Sequence, residues 1–162
     1  MYRSVWRSRG YIPHDINPER TQFVTIRLYD AVPKHVISYW QEELNWHEGL
    51  SSRDPRQLKL RIRIQKYIDK GYGACWLARP DIAEMVEQTL LHDDGVKYRL
   101  IAWCVMPNHV HAIIEFIEPY CLEQILQSWK SVSSHKAINC SIEKVYFGFA
   151  SISIDIFAIQ NI

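Results

Sequence analysis

From Gln22 to Leu28 the chain alternates, setting Phe23, Thr25 and Arg27 against Val24, Ile26 and Leu28. Alternation rich in β-branched residues predicts a strand with two unlike faces. Pro33 sits where a helix can begin, and Val36, Ile37, Trp40 and Leu44 follow at the three- and four-residue spacing of one apolar helix face. Asp54-Pro55 supplies an N-cap and a first-turn proline, Gly71 a stop, and Leu60, Ile64 and Ile68 the stripe between them. A third helix is expected from Pro80-Asp81 to a stop at Gly95, with Ile82, Met85, Val86, Thr89 and Leu90 facing inward. Tyr98 to Met106 and His109 to Phe116 read as apolar strands joined at Pro107-Asn108, a hairpin signal. Leu122, Ile125, Leu126, Trp129 and Val132 then mark a long amphipathic helix running towards Asn139.

The order strand, helices, strand, strand, helix leaves room for one last element. It predicts an α+β fold, a ferredoxin-like βαββαβ sandwich with extra helices in the first crossover. A length of 162 residues fits one domain. That domain is expected over 1–146, opening with a basic arm of about 20 residues that holds Arg3, Arg7, Arg9 and Arg20. Residues 147–162 stand apart from it. Hydrophobic residues make up 48% and charged residues 23%, a balance that places the chain with globular proteins and not disordered ones. The longest apolar run, Leu100 to Met106, is too short to cross a bilayer, and the opening residues lack an apolar signal core. No membrane association and a cytoplasmic location are therefore expected. Cys75, Cys104, Cys121 and Cys140 are too irregularly spaced for a metal knuckle and are expected to be buried free thiols.

A net charge of +1 does not by itself announce a nucleic-acid partner, so any such role needs a local basic face. Arg56, Lys59, Arg63, Lys66 and Lys70 recur every three or four residues and share one side of the second helix. The stripe reads equally as a solvated face or as a surface for phosphates. Sharper chemistry lies in Met106-Pro107-Asn108-His109-Val110-His111. Residues two apart on a strand share a face, so His109 and His111 project side by side while Val110 enters the opposite layer. Two imidazoles so placed can hold one divalent cation and leave positions open for a third ligand and for phosphate oxygens.

The stretch YRLIAWCVMPNHVHAIIEF closely resembles the strand pair of single-tyrosine HUH transposases. RGYIPHDINPERTQFVTIRLYDAVP resembles the arm and first strand of their REP-associated branch, and GYGACWLARPDIAEMVEQTLLHDDGVKYRL and LEQILQSWKSVSSHKAIN fit that branch in order and spacing. The resemblance runs from about Arg9 to Asn139. It implies that His109 and His111 hold Mg²⁺ or Mn²⁺ against a scissile phosphate of single-stranded or hairpin DNA. A tyrosine hydroxyl would attack that phosphorus, forming a 5′-phosphotyrosine and releasing a 3′-hydroxyl for rejoining. Arg56, Lys59, Arg63 and Lys66, with Arg7 and Arg9 of the arm, are candidates to track the DNA backbone. Monomer and homodimer are both compatible with the resemblance.

In this family a final helix carries the nucleophile in a pattern close to W-x-x-x-Y-F-D-R-x-I-R. Here the chain reads KVYFGFASISIDIFAIQNI, whose Ile-x-Ile spacing is strand-like. Permitted codons for Phe147 to Ile162, read from the third base, spell W-F-R-E-Y-F-D-R-Y-I-R-D-S-E-H, the family pattern at the expected place. A frameshift shortly before Phe147 is therefore inferred. The nucleophile would straddle the codons of Ser151 and Ile152, and Tyr146, the nearest surviving tyrosine, lacks the motif around it. The expected outcome is a chain that keeps its metal-binding histidines but does not form the covalent intermediate. Two other readings stay open, a non-catalytic hairpin-binding remnant and a phosphodiesterase that uses water. The latter needs a third ligand and a base, for which His135 and Glu115 are the candidates.

Overall fold

A computed structural model describes the backbone of residues 7–8, 21–51, 53–139 and 154–158, and side chains within 21–51 and 53–133. Five antiparallel strands make one sheet: β1 (Arg7–Ser8), β2 (Thr21–Arg27), β3 (Tyr98–Val105), β4 (His109–Phe116) and β5 (Ile154–Ala158). Their order is β1-β3-β4-β2-β5. Without the short β1, this is the strand order that a split βαββαβ chain produces, so the α+β class read from the sequence is the one observed. β3 and β4 are joined at the Pro107-Asn108 turn, where Met106 N–H donates to the His109 carbonyl at 2.8 Å.

The crossover from β2 to β3 contains α1 (Lys34–Glu43), α2 (Pro55–Ile68) and α3 (Pro80–His92), and α4 (Leu122–Asn139) follows β4. Val24, Ile26, Val110, Ala112 and Ile114 point to one side of the sheet. There they join Ile82, Val86 and Leu90 of α3 and Ile125, Leu126 and Trp129 of α4 in the main core. The buried Tyr98 ties these parts together: its hydroxyl donates to the Leu90 carbonyl at 2.6 Å and accepts from the Trp129 indole at 2.8 Å.

α2 starts as its sequence dictates. Asp54 caps it by accepting the Arg56 N–H, and Pro55 occupies the first turn, where no N–H is required. Leu60, Ile64 and Ile68 form a second, smaller core with Val32, against which Trp40 and Tyr67 pack. Val36, Ile37 and Leu44 join this smaller core, although no α1 residue is fully buried. After α2 the chain turns through Gly71 and Gly73, both at positive φ. A side chain at Gly73 would meet Asp30 at 3.0 Å, and the Asp30 carboxylate accepts the next N–H, that of Ala74, at 2.6 Å. This connection brings the end of α2 back to the β3–β4 turn.

Of the cysteines expected to be buried, Cys104 is, Cys75 is half-buried and Cys121 is exposed; Cys140 lies outside the described residues. Cys121 immediately precedes α4, where its N–H donates to Gln124, and a helix entrance keeps its side chain in water.

Candidate metal centre

The sheet has a second face, and the histidines lie on it. β2 and β4 pair with Arg27 opposite His109, Thr25 opposite His111 and Phe23 opposite Ile113. Polar side chains predominate on this face, yet Thr25, Arg27 and His109 are buried. The extra crossover helix α2 comes over the histidines, since its Leu58, Arg61, Ile62 and Gln65, with the C-cap Asp69, line a cavity together with both of them.

His109 and His111 face each other with their Nε2 atoms 3.0 Å apart. Each is braced from behind. The Asn108 amide donates from Nδ2 to the carbonyls of Ile68 and Tyr72, at 3.0 Å each. Those two acceptors fix which way the amide points, so its Oδ1, 2.7 Å from His109 Nδ1, requires a proton on that nitrogen. Nε2 of His109 is then the bare nitrogen, free to accept a cation. On His111, Nδ1 lies 3.0 Å from the Thr25 hydroxyl, which can donate or accept and so serves either tautomer. Phe23 stacks on the His111 ring at 5.2 Å between centroids.

The third donor is Asp69, at the C-cap of α2. Its Oδ1 lies 3.8 Å from His109 Nε2, and suitable ligand atoms of Asp69, His109 and His111 all fall within 4.8 Å of one another. Gln65, one turn earlier, donates to that carboxylate at 2.7 Å and reaches to 3.5 Å from His111 Nε2. Burial, reinforced by the neighbouring His111, pushes the His109 pKa down to about 4 against the opposing pull of Asp69. Burial likewise lowers that of His111, again opposed by Asp69. Both rings are therefore neutral near pH 7, the form a cation requires.

Two neutral imidazoles and one carboxylate suit a divalent cation of borderline or hard character. Two metal bonds of about 2.1 Å meeting at a right angle end about 3.0 Å apart, so the spacing of the Nε2 atoms matches cis positions of an octahedron. Three protein ligands would leave three such positions for water or phosphate oxygens.

The other residues singled out from the sequence lie elsewhere. Successive helix residues turn by about 100°, which sets the Arg56, Lys59, Arg63 and Lys66 stripe about a third of a turn away from the Leu58, Arg61, Ile62, Gln65 and Asp69 face. Arg56 pairs with Asp54 at 2.8 Å and Arg63 with Glu43 at 2.8 Å, while Lys59 and Lys66 are exposed. Arg7 lies at the far sheet edge, opposite Trp103 in register. Glu115 pairs with Arg99 at 3.1 Å and is not in the donor cluster. Arg9, Tyr146 and the His135 side chain lie outside the described residues. Reading the sequence alone missed Asp69 and the bracing Asn108, although Asn108 stands beside the histidine pair.

No helix among the described residues is long and apolar enough to cross a membrane. No curated protein and no solved structure matches the chain. Residues 79–145 match the family model described as "Transposase IS200 like", so the stretch that contains α3, the β3–β4 hairpin with both histidines, and α4 is similar to that family.

Proposed function

We propose that the chain is a transposase-derived protein of the REP-associated single-tyrosine type. It binds single-stranded or hairpin DNA at a divalent-metal centre and lacks the nucleophile for cleavage. The observation that carries this reading is the facing pair His109 and His111, with Nε2 atoms 3.0 Å apart, inside the segment similar to IS200-like transposases.

His109, His111 and Asp69 hold the cation. When bound, Mg²⁺ or Mn²⁺ supplies Lewis-acid polarisation of a phosphate oxygen. Asn108 keeps the His109 proton on Nδ1, so its Nε2 stays available. The Thr25 hydroxyl can accept from or donate to His111 Nδ1, which lets that ring turn a bare Nε2 to the cation. The basic residues Arg56, Lys59, Arg63 and Lys66 of α2, with Arg7 and Arg9 of the arm, bind phosphates away from the metal. Covalent cleavage requires a tyrosine hydroxyl at that phosphate. Residues 147–162 contain no tyrosine, and Tyr146 is not set in the family's motif. The absence of this motif favours a DNA-binding remnant over a strand-transferring enzyme.

The test uses the purified 162-residue chain with ³²P-labelled single-stranded and hairpin oligonucleotides and Mn²⁺. Binding without a covalent protein–DNA adduct is expected. A second chain, with Phe147 to Ile162 replaced by W-F-R-E-Y-F-D-R-Y-I-R-D-S-E-H, is expected to form the adduct. An adduct with the unaltered chain overturns the loss of cleavage. Failure to bind both Mn²⁺ and DNA overturns the whole reading.

A further inference from the structure

Beside the metal ligands opens a cavity of about 580 Å³. Phe23, stacked on His111, forms one wall together with Met106 from just before the hairpin turn. Leu58 and Ile62, one helical turn apart on α2, form the opposite wall. These two are 57% and 44% exposed and flank Arg61 on the cavity side of the helix. The polar lining comes from Arg61, Gln65 and Asp69.

We infer that this cavity receives one unpaired nucleobase, that of the nucleotide adjoining the phosphate held at the metal. The inference rests on the proposed function and deepens it. A base has two π faces and a polar edge. The cavity offers Phe23, the aliphatic walls and Met106 to the faces, and the Arg61 guanidinium with the Gln65 Oε1 and Asp69 Oδ2 acceptors to the edge. Its volume falls within the range of about 300–1,000 Å³ usual for small-ligand pockets, so one base with its sugar is accommodated. Tethering supports the same occupant. A base hangs from its own phosphate by a single sugar, and Asp69, His109 and His111 belong both to the cavity and to the donor cluster. Arg61 supplies positive charge for the backbone at this place. In a duplex the base is stacked and its edge is paired, so such a cavity selects single strands.

The test is a scan with short single-stranded oligonucleotides that carry 2-aminopurine, or an abasic site, at successive positions, with Mn²⁺ present. One position is expected to show quenching, and loss of the base there is expected to weaken binding about 10-fold. Substituting Leu58→Ser and Ile62→Ser together removes both effects. A flat scan on bound DNA overturns the base cavity. Mn²⁺ binding, read without DNA by electron paramagnetic resonance, reports on the metal centre separately. A free-Mn²⁺ signal that the protein does not diminish, with one quenched position, overturns the metal reading and keeps the cavity. No DNA binding at all overturns the base cavity and the DNA-binding reading, whatever the Mn²⁺ result. A dimer that dissociates on the same double substitution, with an unchanged scan, gives this face to a second copy and overturns the inference.

Discussion

Asn108 is the residue on which the proposed metal centre turns. It links three segments at once, donating to Ile68 at the end of α2 and to Tyr72 beyond it while accepting from His109. Asn108→Ala leaves two carbonyls without their donor and releases the His109 ring. Loss of such an outer partner lowers metal affinity by about 10–100-fold, measurable by titrating Mn²⁺ into the apo protein. Asn108→Asp separates the two roles. Its carboxylate still accepts from His109 but no longer donates to both carbonyls, so ring orientation is retained while the α2 connection loosens. A drop in melting temperature with a smaller loss of Mn²⁺ affinity is expected, and equal affinity losses in both variants would contradict the bracing role. Asp69→Ala removes the third donor of the proposed centre from a half-exposed position. It should weaken Mn²⁺ binding about 10-fold or more with little change in melting temperature. The two histidines were legible in the sequence because strand periodicity alone puts them side by side. Asp69 was not, since it lies 40 positions before His109 and arrives only through the Gly71–Gly73 turn and the Asn108 bridge.

At the scale of elements, α2 has three distinct faces. One is apolar and packs into the smaller core, one lines the cavity, and one carries Arg56, Lys59, Arg63 and Lys66. The sequence made the apolar and basic faces plain by their repetition. The cavity face mixes Leu58, Arg61, Ile62 and Gln65, and no periodic pattern marks it out. If the basic face meets DNA, Lys59→Ala with Lys66→Ala weakens binding of all sequences alike. It also makes log K fall less steeply with log salt, by about 0.7 for each single-strand phosphate that a lysine no longer neutralises. An unchanged slope would leave this face to solvent. Tyr98 joins α3, α4 and β3, and burial drives its pKa up to about 12 from the usual value near 10. The unfolded chain therefore gives up this proton first, and the stabilisation from Tyr98 is whole below pH 10 and lost as pH rises through 12. Denaturant midpoints should fall over that window in the wild type. In Tyr98→Phe this alkaline step should shrink, with stability lower by about 1–3 kcal/mol at neutral pH because Trp129 N–H loses its acceptor.

For the whole molecule, the sheet order determines what the segment after residue 146 contributes. β5 lies along β2, pairing from Gln22 with Ala158 to Ile26 with Ile154. The Ile-x-Ile spacing of that segment was readable as a strand, and its partner was not, because alternation specifies faces but not neighbours. β2 is then held on both sides, by β4 and β5, and it carries Thr25, which braces His111. Removing residues 147–162 takes away β5 and bares the backbone donors and acceptors of β2 along one edge. Exposed edges of this kind pair with other copies. The shortened chain is expected to self-associate in sedimentation and to melt at a lower temperature. All three candidate donors lie upstream, at the C-cap of α2 and on β4, and Asn108 and Thr25 remain in place behind the histidines. Mn²⁺ binding should therefore survive the deletion within a few-fold of the full chain. Loss of Mn²⁺ binding in a shortened chain that stays folded and monomeric would mean that the segment after residue 146 takes part in the metal centre, and that the three-donor site is incomplete.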